Sequence, residues 1–281
     1  MTGKKEAIMK KGIRGHDVEA KGLENIWDTA KKAGMEYLQL VLEKSLDDFK
    51  TGDFTEEYAE KIKVQLGDAK VAILGSYINP SNPDDEKLRE EIEKFKEKIR
   101  YAKILKPIAV GTETGKYKEG ETYSEEAYQR LLETMREIVK YAEKYDVNIG
   151  IEGVCWFVIN DPKKMKRIID DLASPNVKVI FDPVNYLNFD NYRNQDEMIR
   201  DAFDLFADRI CAIHAKDFTV EDGRLKGAKI TEGMLNYNLI FEKMREYNLD
   251  IPIICEGINE KDAIVAFEKL ENIKDMMFDI N

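Results

Sequence analysis

Eight short apolar, β-branched runs alternate with longer stretches of helical periodicity along the chain. The runs cover residues 7–13, 37–42, 71–74, 108–110, 147–151, 177–181, 210–213 and 251–255. Near-continuous apolar runs of this length read as strands covered on both faces, the situation of a parallel sheet. Between them, Leu88, Ile92, Phe95 and Ile99 recur at steps of four, three and four, with Glu and Lys filling the other side. That spacing keeps one face of a helix apolar and the opposite face solvated. Comparable stripes run through Leu131, Met135, Ile138 and Ala142, through Met165, Ile168, Ile169 and Leu172, and through Ala263, Ile264, Phe267 and Leu270. They are core faces. Alternation of strands with one-sided helices over eight units predicts an α/β protein closed into a (β/α)8 TIM barrel. An open dinucleotide-binding sheet would need a glycine-rich loop after its first strand, and GIRGHD supplies neither GxGxxG nor an immediate helix start. The long connections 183–194 and 217–232 are expected to be loops shaping the barrel mouth.

At 281 residues with 43% hydrophobic content, the chain fits one barrel domain spanning 1–281, with no composition break to mark a linker. No apolar run approaches the roughly 20 residues that cross a bilayer, and the basic start MTGKKEAIMKKG lacks the apolar stretch of a secretory signal. A cytoplasmic protein that engages no membrane is the expectation. The net charge of −11 is spread along amphipathic helices without a basic patch, which argues against nucleic acid as a partner. Three cysteines without CxxC spacing do not form a disulfide framework. Strand parity places Cys211 and Cys255 outward beneath the helices, while Cys155 falls near the mouth.

Chemistry enters where four consecutive strands end. Glu152 closes VNIGIE, Asp182 closes VKVIFD, His214 closes RICAIH and Glu256 closes IPIICE. They stand 30, 32 and 42 residues apart (152 to 182, 182 to 214, 214 to 256), one βα unit per step. In a parallel barrel the C-terminal strand ends converge on one mouth. Acids at strand ends can simply cap helices or sit in solvated loops. A carboxylate directly after a buried run, however, must be paired or metal-bound to offset its desolvation. Three carboxylates and one imidazole form a mostly hard ligand set that suits Mn2+ best, with Mg2+, Co2+ or Zn2+ as the other candidates. The chain has only two histidines, and both His16 and His214 fall at strand ends.

In order, the strand-end motifs GIRGHD, YLQLVL, LGSYINP, VGTETG, GIEGV, FDPVN, HAKDF and CEGI resemble the xylose isomerase-like barrel superfamily, in particular its sugar phosphate isomerase/epimerase group. The resemblance covers nearly the whole chain and implies a divalent ion held by Glu152, Asp182, His214 and Glu256. By position it also implies that Glu152 and Glu256 are the acid/base pair acting on opposite faces of a substrate carbon. One would remove a proton α to a ketone and the other return it through a metal-stabilised cis-enediolate, giving epimerisation or aldose–ketose isomerisation. Asp182 and His214 would bind the metal only. The resemblance further suggests dimers or tetramers.

Two positions depart from the ketose 3-epimerases of this group. Their aspartate ligand is followed three positions on by a substrate-contacting histidine, where this chain has Asn185, and their arginine six positions after the histidine ligand is Val220 here. Asn185 can still bond a hydroxyl. Lys216 and Asp217 are candidates for contacting a carboxylate, phosphate or hydroxyl, against an ordinary surface pairing. His16 is a candidate for a substrate hydroxyl or a proton shuttle, and Asn79 and Glu113 for lining the pocket. Trp156 and Tyr77 are candidates for stacking on a sugar face. Gln39 shares the parity of Tyr37 and Val41, which leaves it facing either the barrel interior or the helices.

The partner expected is therefore a small carbohydrate. A dehydratase acting on an inosose-like cyclic ketone is the nearer rival, because an enolate β to a hydroxyl can eliminate water. A nuclease that cuts at abasic sites, also found in the superfamily, is remote: its multi-zinc cluster needs several histidines and its substrate a basic surface. A sugar-binding module without catalysis would have lost one of the two glutamates, and both are present.

Overall fold

The computed structural model describes residues 9–276, so positions 7 and 8 of the first expected strand lie outside the described residues. The strands are β1 (Lys11–Arg14), β2 (Tyr37–Leu40), β3 (Lys70–Gly75), β4 (Ala109–Glu113), β5 (Ile149–Glu152), β6 (Val177–Phe181), β7 (Ile210–Ala215), β8 (Asp217–Glu221), β9 (Arg224–Ala228) and β10 (Ile253–Cys255). Eight of them close a barrel in the order β1-β10-β7-β6-β5-β4-β3-β2, every neighbouring pair parallel. This is the (β/α)8 barrel that the alternation of runs predicted.

The helices are α1 (Leu23–Lys32), α2 (Leu42–Ser45), α3 (Glu56–Leu66), α4 (Asp85–Leu105), α5 (Glu125–Glu143), α6 (Pro162–Leu172), α7 (Gln195–Phe206), α8 (Tyr237–Glu246) and α9 (Glu260–Met276). Their starts follow local chemistry. Asp161 accepts from the backbone N–H of Lys164 with Pro162 in the first turn of α6, and Ser124 accepts from Ala127 N–H at the head of α5. Both satisfy donors that a helix start leaves unpaired. The expected stripe of α4 is buried throughout, as are Leu131, Met135, Ile138 and Ala142 of α5. On α9 the buried face is Ala263, Ala266, Phe267 and Leu270, and Ile264 is exposed. That side chain was expected in the stripe and is one step off it. No helix among the described residues is long and apolar enough to cross a membrane.

The barrel interior is filled by Tyr37, Ile73, Ile180 and Ile254 with Ala72, Ala109 and Ala212. Small residues on neighbouring strands make room for the large ones. A Cβ on Gly12 would lie 2.3 Å from Ile254 Cδ1, and one on Gly111 would lie 2.7 Å from both Ile180 Cδ1 and Ile73 Cγ2. Each fully buried isoleucine stabilises the fold by roughly 1.5–3 kcal/mol through removal from water. Cys255 packs in the outer layer as parity predicts, but Cys211 joins the interior group. The reason is a register shift: Val179 pairs with Ile210 and Ile180 with Ala212, so Cys211 is skipped in the ladder and escapes strict alternation.

The expected mouth loop 217–232 is in large part a β-hairpin, with β8 and β9 antiparallel around Asp222 and Gly223. Both turn residues have positive φ, 50° and 70°, as a two-residue hairpin turn requires.

Candidate functional site

Residues two apart on a strand face the same side, so the interior residues of the barrel stack in layers. Above Gly150, Ile180, Ala212 and Ile254 the next positions are Glu152, Asp182, His214 and Glu256. The layer is completed by Arg14 on β1, Gln39 on β2 and Glu113 on β4. The four expected ligands meet: one donor atom from each lies within 4.8 Å of the others, and Glu152, Asp182 and His214 are buried.

His214 is the pivot of this group. Its Nδ1 stands 3.3 Å from Glu152 Oε1, 3.4 Å from Asp182 Oδ2 and 3.1 Å from Glu256 Oε2, and it makes a directed hydrogen bond with none of them. Its Nε2 lies 2.8 Å from Gln39 Oε1. An amide oxygen only accepts, so Nε2 carries the hydrogen and Nδ1 is the nitrogen left to face the carboxylates. A histidine turned in this way is the arrangement of a metal ligand whose second nitrogen is held from behind.

Two cations enter the same group. Lys216 Nζ lies 2.8 Å from Asp182 Oδ2 and 2.9 Å from Glu256 Oε1, and donates to Asn185 Oδ1 at 3.0 Å. Arg14 Nη1 lies 2.8 Å from Glu256 Oε1, while its Nε and Nη2 donate to the two oxygens of Asp17. Asn185 donates from Nδ2 to Glu152 Oε1 at 2.7 Å and from its backbone N–H to Asp182 Oδ1 at 2.9 Å. It therefore ties together two of the three carboxylates.

The charges respond to each other. Burial alone would lower the His214 value, but the negative charge of Glu152, with Asp182 and Glu256 close by, raises it to about 10. Burial would raise Asp182, yet the Lys216 ammonium and His214 outweigh it and hold this carboxyl down at about 2. Lys216 is raised despite its burial, chiefly by Asp182 and Glu256. Glu113 has no cation of its own, and burial with the charge of Glu152 pushes it up to about 7.

A cavity of about 530 Å3 opens beside this layer, lined by Arg14, His16, Gln39, Tyr77, Glu113, Glu152 and Glu256 among others. His16 and Glu113 thus face it as the sequence suggested, and His16 Nδ1 has no hydrogen-bond partner. Tyr77 also lines it.

Three other candidates stand elsewhere. Trp156 is 56% exposed and borders a separate depression of about 460 Å3 with Tyr117 and Tyr123. Asn79 joins two loops, donating to Lys116 O and accepting from Ser81 N–H. Asp217 is buried and accepts from the backbone N–H groups of Phe218, Gly233 and Leu235, which folds the hairpin region back on itself. Arg14 was not singled out from the sequence, although it shares the parity of Gly12. Gln39 was named there with its face left open between the interior and the helices, and its parity with Tyr37 in the interior layer decides for the interior.

A profile described as a xylose isomerase-like TIM barrel matches residues 27–276. An uncharacterized protein of Methanocaldococcus jannaschii is 28% identical over 200 residues, covering 70% of this chain and 66% of that protein, just under two thirds of its length. Among solved structures, a D-tagatose 3-epimerase-like protein superposes with a TM-score of 0.76 at 20% identity, over 96% of this chain and 99% of that one. A probable 3-DHS dehydratase of Bacillus anthracis gives 0.71 at 16% identity, over 94% and 99%. A xylose isomerase-like TIM barrel protein of Mycobacterium smegmatis, in complex with magnesium, gives 0.72 at 13% identity, over 95% and 97%. At these identities the superpositions establish the shared fold.

Proposed function

The chain belongs to the xylose isomerase-like TIM barrel family, and we propose that it is a divalent-metal-dependent isomerase or epimerase of a small sugar or sugar phosphate. The observation that carries this reading is the convergence of Glu152, Asp182, His214 and Glu256 around the uncommitted Nδ1 of His214. Three carboxylates left close together in a buried pocket repel one another and need positive charge between them. With one imidazole they fit a divalent ion, Mn2+ best on hardness, with Mg2+, Co2+ or Zn2+ as alternatives. Such an ion, when bound, would stabilise the negative charge that grows on a substrate carbonyl oxygen when the neighbouring carbon loses its proton.

The protein's own groups do the rest. Glu152 is held through Oε1 by Asn185, and Glu256 through Oε1 by Arg14 and Lys216, so each glutamate is fixed in orientation before substrate arrives. One takes the proton from the substrate carbon, and the other returns a proton to the opposite face or to the neighbouring carbon. Asp182 and His214 serve the ion. His16, Tyr77 and Glu113 line the cavity where substrate hydroxyls would rest. Incubation with Mn2+ and a panel of sugars and sugar phosphates in D2O tests the reading. Deuterium built into an isomeric product supports it, and unchanged substrate across the panel would count against it.

A dehydratase acting on a cyclic ketone is the second reading. Glu113 favours it, being a further cavity carboxyl outside the four, placed beside Glu152 on the adjoining strand, where it can protonate a departing hydroxyl. The probable 3-DHS dehydratase among the structural neighbours lends it support. In the same incubation this reading yields loss of water, and Glu113→Gln abolishes that loss while sparing epimerisation.

A further inference from the structure

Gln39 is 1% exposed and sits inside the barrel, where an amide with an unused end would cost about 1–3 kcal/mol. Both ends are used. The oxygen accepts from His214 Nε2–H at 2.8 Å, and the nitrogen donates to the Tyr77 hydroxyl oxygen at 2.5 Å. We propose that Gln39 is the positioning residue of this site: it fixes which nitrogen of His214 faces the carboxylates and aims the hydroxyl hydrogen of Tyr77 into the cavity. The inference deepens the proposed function and rests on it.

The reasoning is an accounting of donors and acceptors. Because Gln39 offers His214 only an oxygen, Nε2 keeps its hydrogen, and Nδ1 is the nitrogen offered to a cation. Because Gln39 offers Tyr77 only an N–H, that bond occupies a lone pair of the phenol oxygen and leaves its hydrogen unspent. The hydroxyl belongs to a cavity-lining side chain that is 38% exposed, and Glu113, Glu152 and Glu256 line the same cavity, so the hydrogen has the cavity contents to bond. Burial and the charge of those glutamates keep the phenol protonated. A preset donor beside the proton-transfer groups can meet a substrate oxygen as negative charge builds on it.

No other side chain of this length supplies both ends. Methionine fills the space with neither. Glutamate keeps the acceptor for His214 but turns the Tyr77 hydrogen back onto itself. Tyr77 would thus be the group that touches substrate, and Gln39 the group that orients it.

The test uses the full chain stripped of metal with EDTA, titrated calorimetrically with Mn2+, and then, once loaded, with glycolohydroxamate, a planar mimic of a deprotonated hydroxy ketone. Gln39→Met should weaken Mn2+ binding by about 10–100-fold, the usual cost of losing such a supporting bond. Gln39→Glu should restore it to within about threefold of wild type, and Tyr77→Phe should leave it unchanged. A merely structural role would not give that rescue by Glu over Met. Glycolohydroxamate affinity should fall about tenfold in Tyr77→Phe and equally in Gln39→Glu, with no further fall in the double variant, as one lost hydrogen bond implies. Wild-type Mn2+ affinity in Gln39→Met, or wild-type glycolohydroxamate affinity in Tyr77→Phe, overturns the inference while leaving the proposed function standing. Failure of the wild type itself to bind Mn2+ brings down the proposed function and this inference together.

Discussion

Lys216 Nζ stands 2.8 Å from Asp182 Oδ2, within the group of carboxylates that would hold an ion. With His214 it supplies the positive charge that keeps Asp182, Glu152 and Glu256 together in the ion-free protein. A divalent cation arriving there meets a like charge, a repulsion of roughly 7–8 kcal/mol at separations of about 4–5 Å and an effective dielectric of about 20, before screening by the surrounding carboxylates. Lys216→Met should therefore bind Mn2+ at least about tenfold more tightly, while carbon-proton exchange slows because Glu256 loses a partner. Calorimetric titration and D2O exchange read the two effects. Unchanged or weaker Mn2+ binding would show that the ammonium does not compete with the ion.

Glu152 and Glu256 are assigned the proton transfer. At saturating Mn2+, Glu152→Gln and Glu256→Gln should each lower exchange of the substrate C–H with D2O by about 10²–10⁴-fold, the usual contribution of a positioned acid or base. The amide keeps the shape and gives up the basicity. Exchange that persists at the wild-type rate in both variants removes the assignment.

The pH dependence follows from two opposed shifts. His214 is raised from its ordinary 6.5 to about 10, so the stability its charge contributes is complete below about pH 6.5 and is lost as pH rises toward 10. Asp182 is lowered from 3.8 to about 2, so its contribution is present above about pH 4 and is lost as pH falls toward 2. As far as these two groups decide it, the ion-free protein is most stable between those windows. An ion at Nδ1 needs the neutral ring, so below about pH 10 its binding to the folded protein releases a proton and tightens as pH rises. Thermal unfolding with and without Mn2+ should show a larger rise in Tm at pH 8 than at pH 6. Equal rises at the two pH values would mean that His214 gives up no proton to the ion.

Asp217 illustrates a residue with the right address and a different job. It receives three backbone N–H bonds, at 2.8, 3.0 and 2.9 Å. Hydrogen bonds to charged groups contribute about 1.5–3 kcal/mol each and are not fully additive. Asp217→Ala should cost at least about 2–3 kcal/mol in urea unfolding and leave Mn2+ affinity at the wild-type level. Gly233→Ala should also destabilise, since its Cβ would lie 2.2 Å from Asp217 Oδ1. A large fall in Mn2+ affinity in Asp217→Ala would place this carboxylate among the ion-binding groups instead.

The barrel and its four-residue centre were legible because burial on both strand faces leaves a continuous apolar signal, and because ionisable residues closing such runs are conspicuous. What was less legible has physical causes. The β8–β9 hairpin is solvent-facing over much of its length and lacks apolar runs, although Asp222-Gly223 is a hairpin-turn signal that could have been read. Gln39 stayed ambiguous because parity gives two faces without saying which is inside. The answer came from Tyr37 pairing with Gly12 in the interior layer. Cys211 defeated parity through a skipped residue in the ladder. Asn79 and Trp156 lie beyond strand ends, where loop geometry decides direction and alternation no longer applies, and Asp217 opens β8, a strand outside the barrel whose alternation is not set by the barrel interior.

The central claim is that one divalent ion touches Glu152, Asp182, His214 and Glu256 together. Anomalous diffraction from crystals soaked in Mn2+ measures this directly. A single peak within bonding distance of all four side chains, absent from crystals of Asp182→Asn, is the expected result. No peak at the barrel mouth, or a peak that any of the four cannot reach, would contradict it.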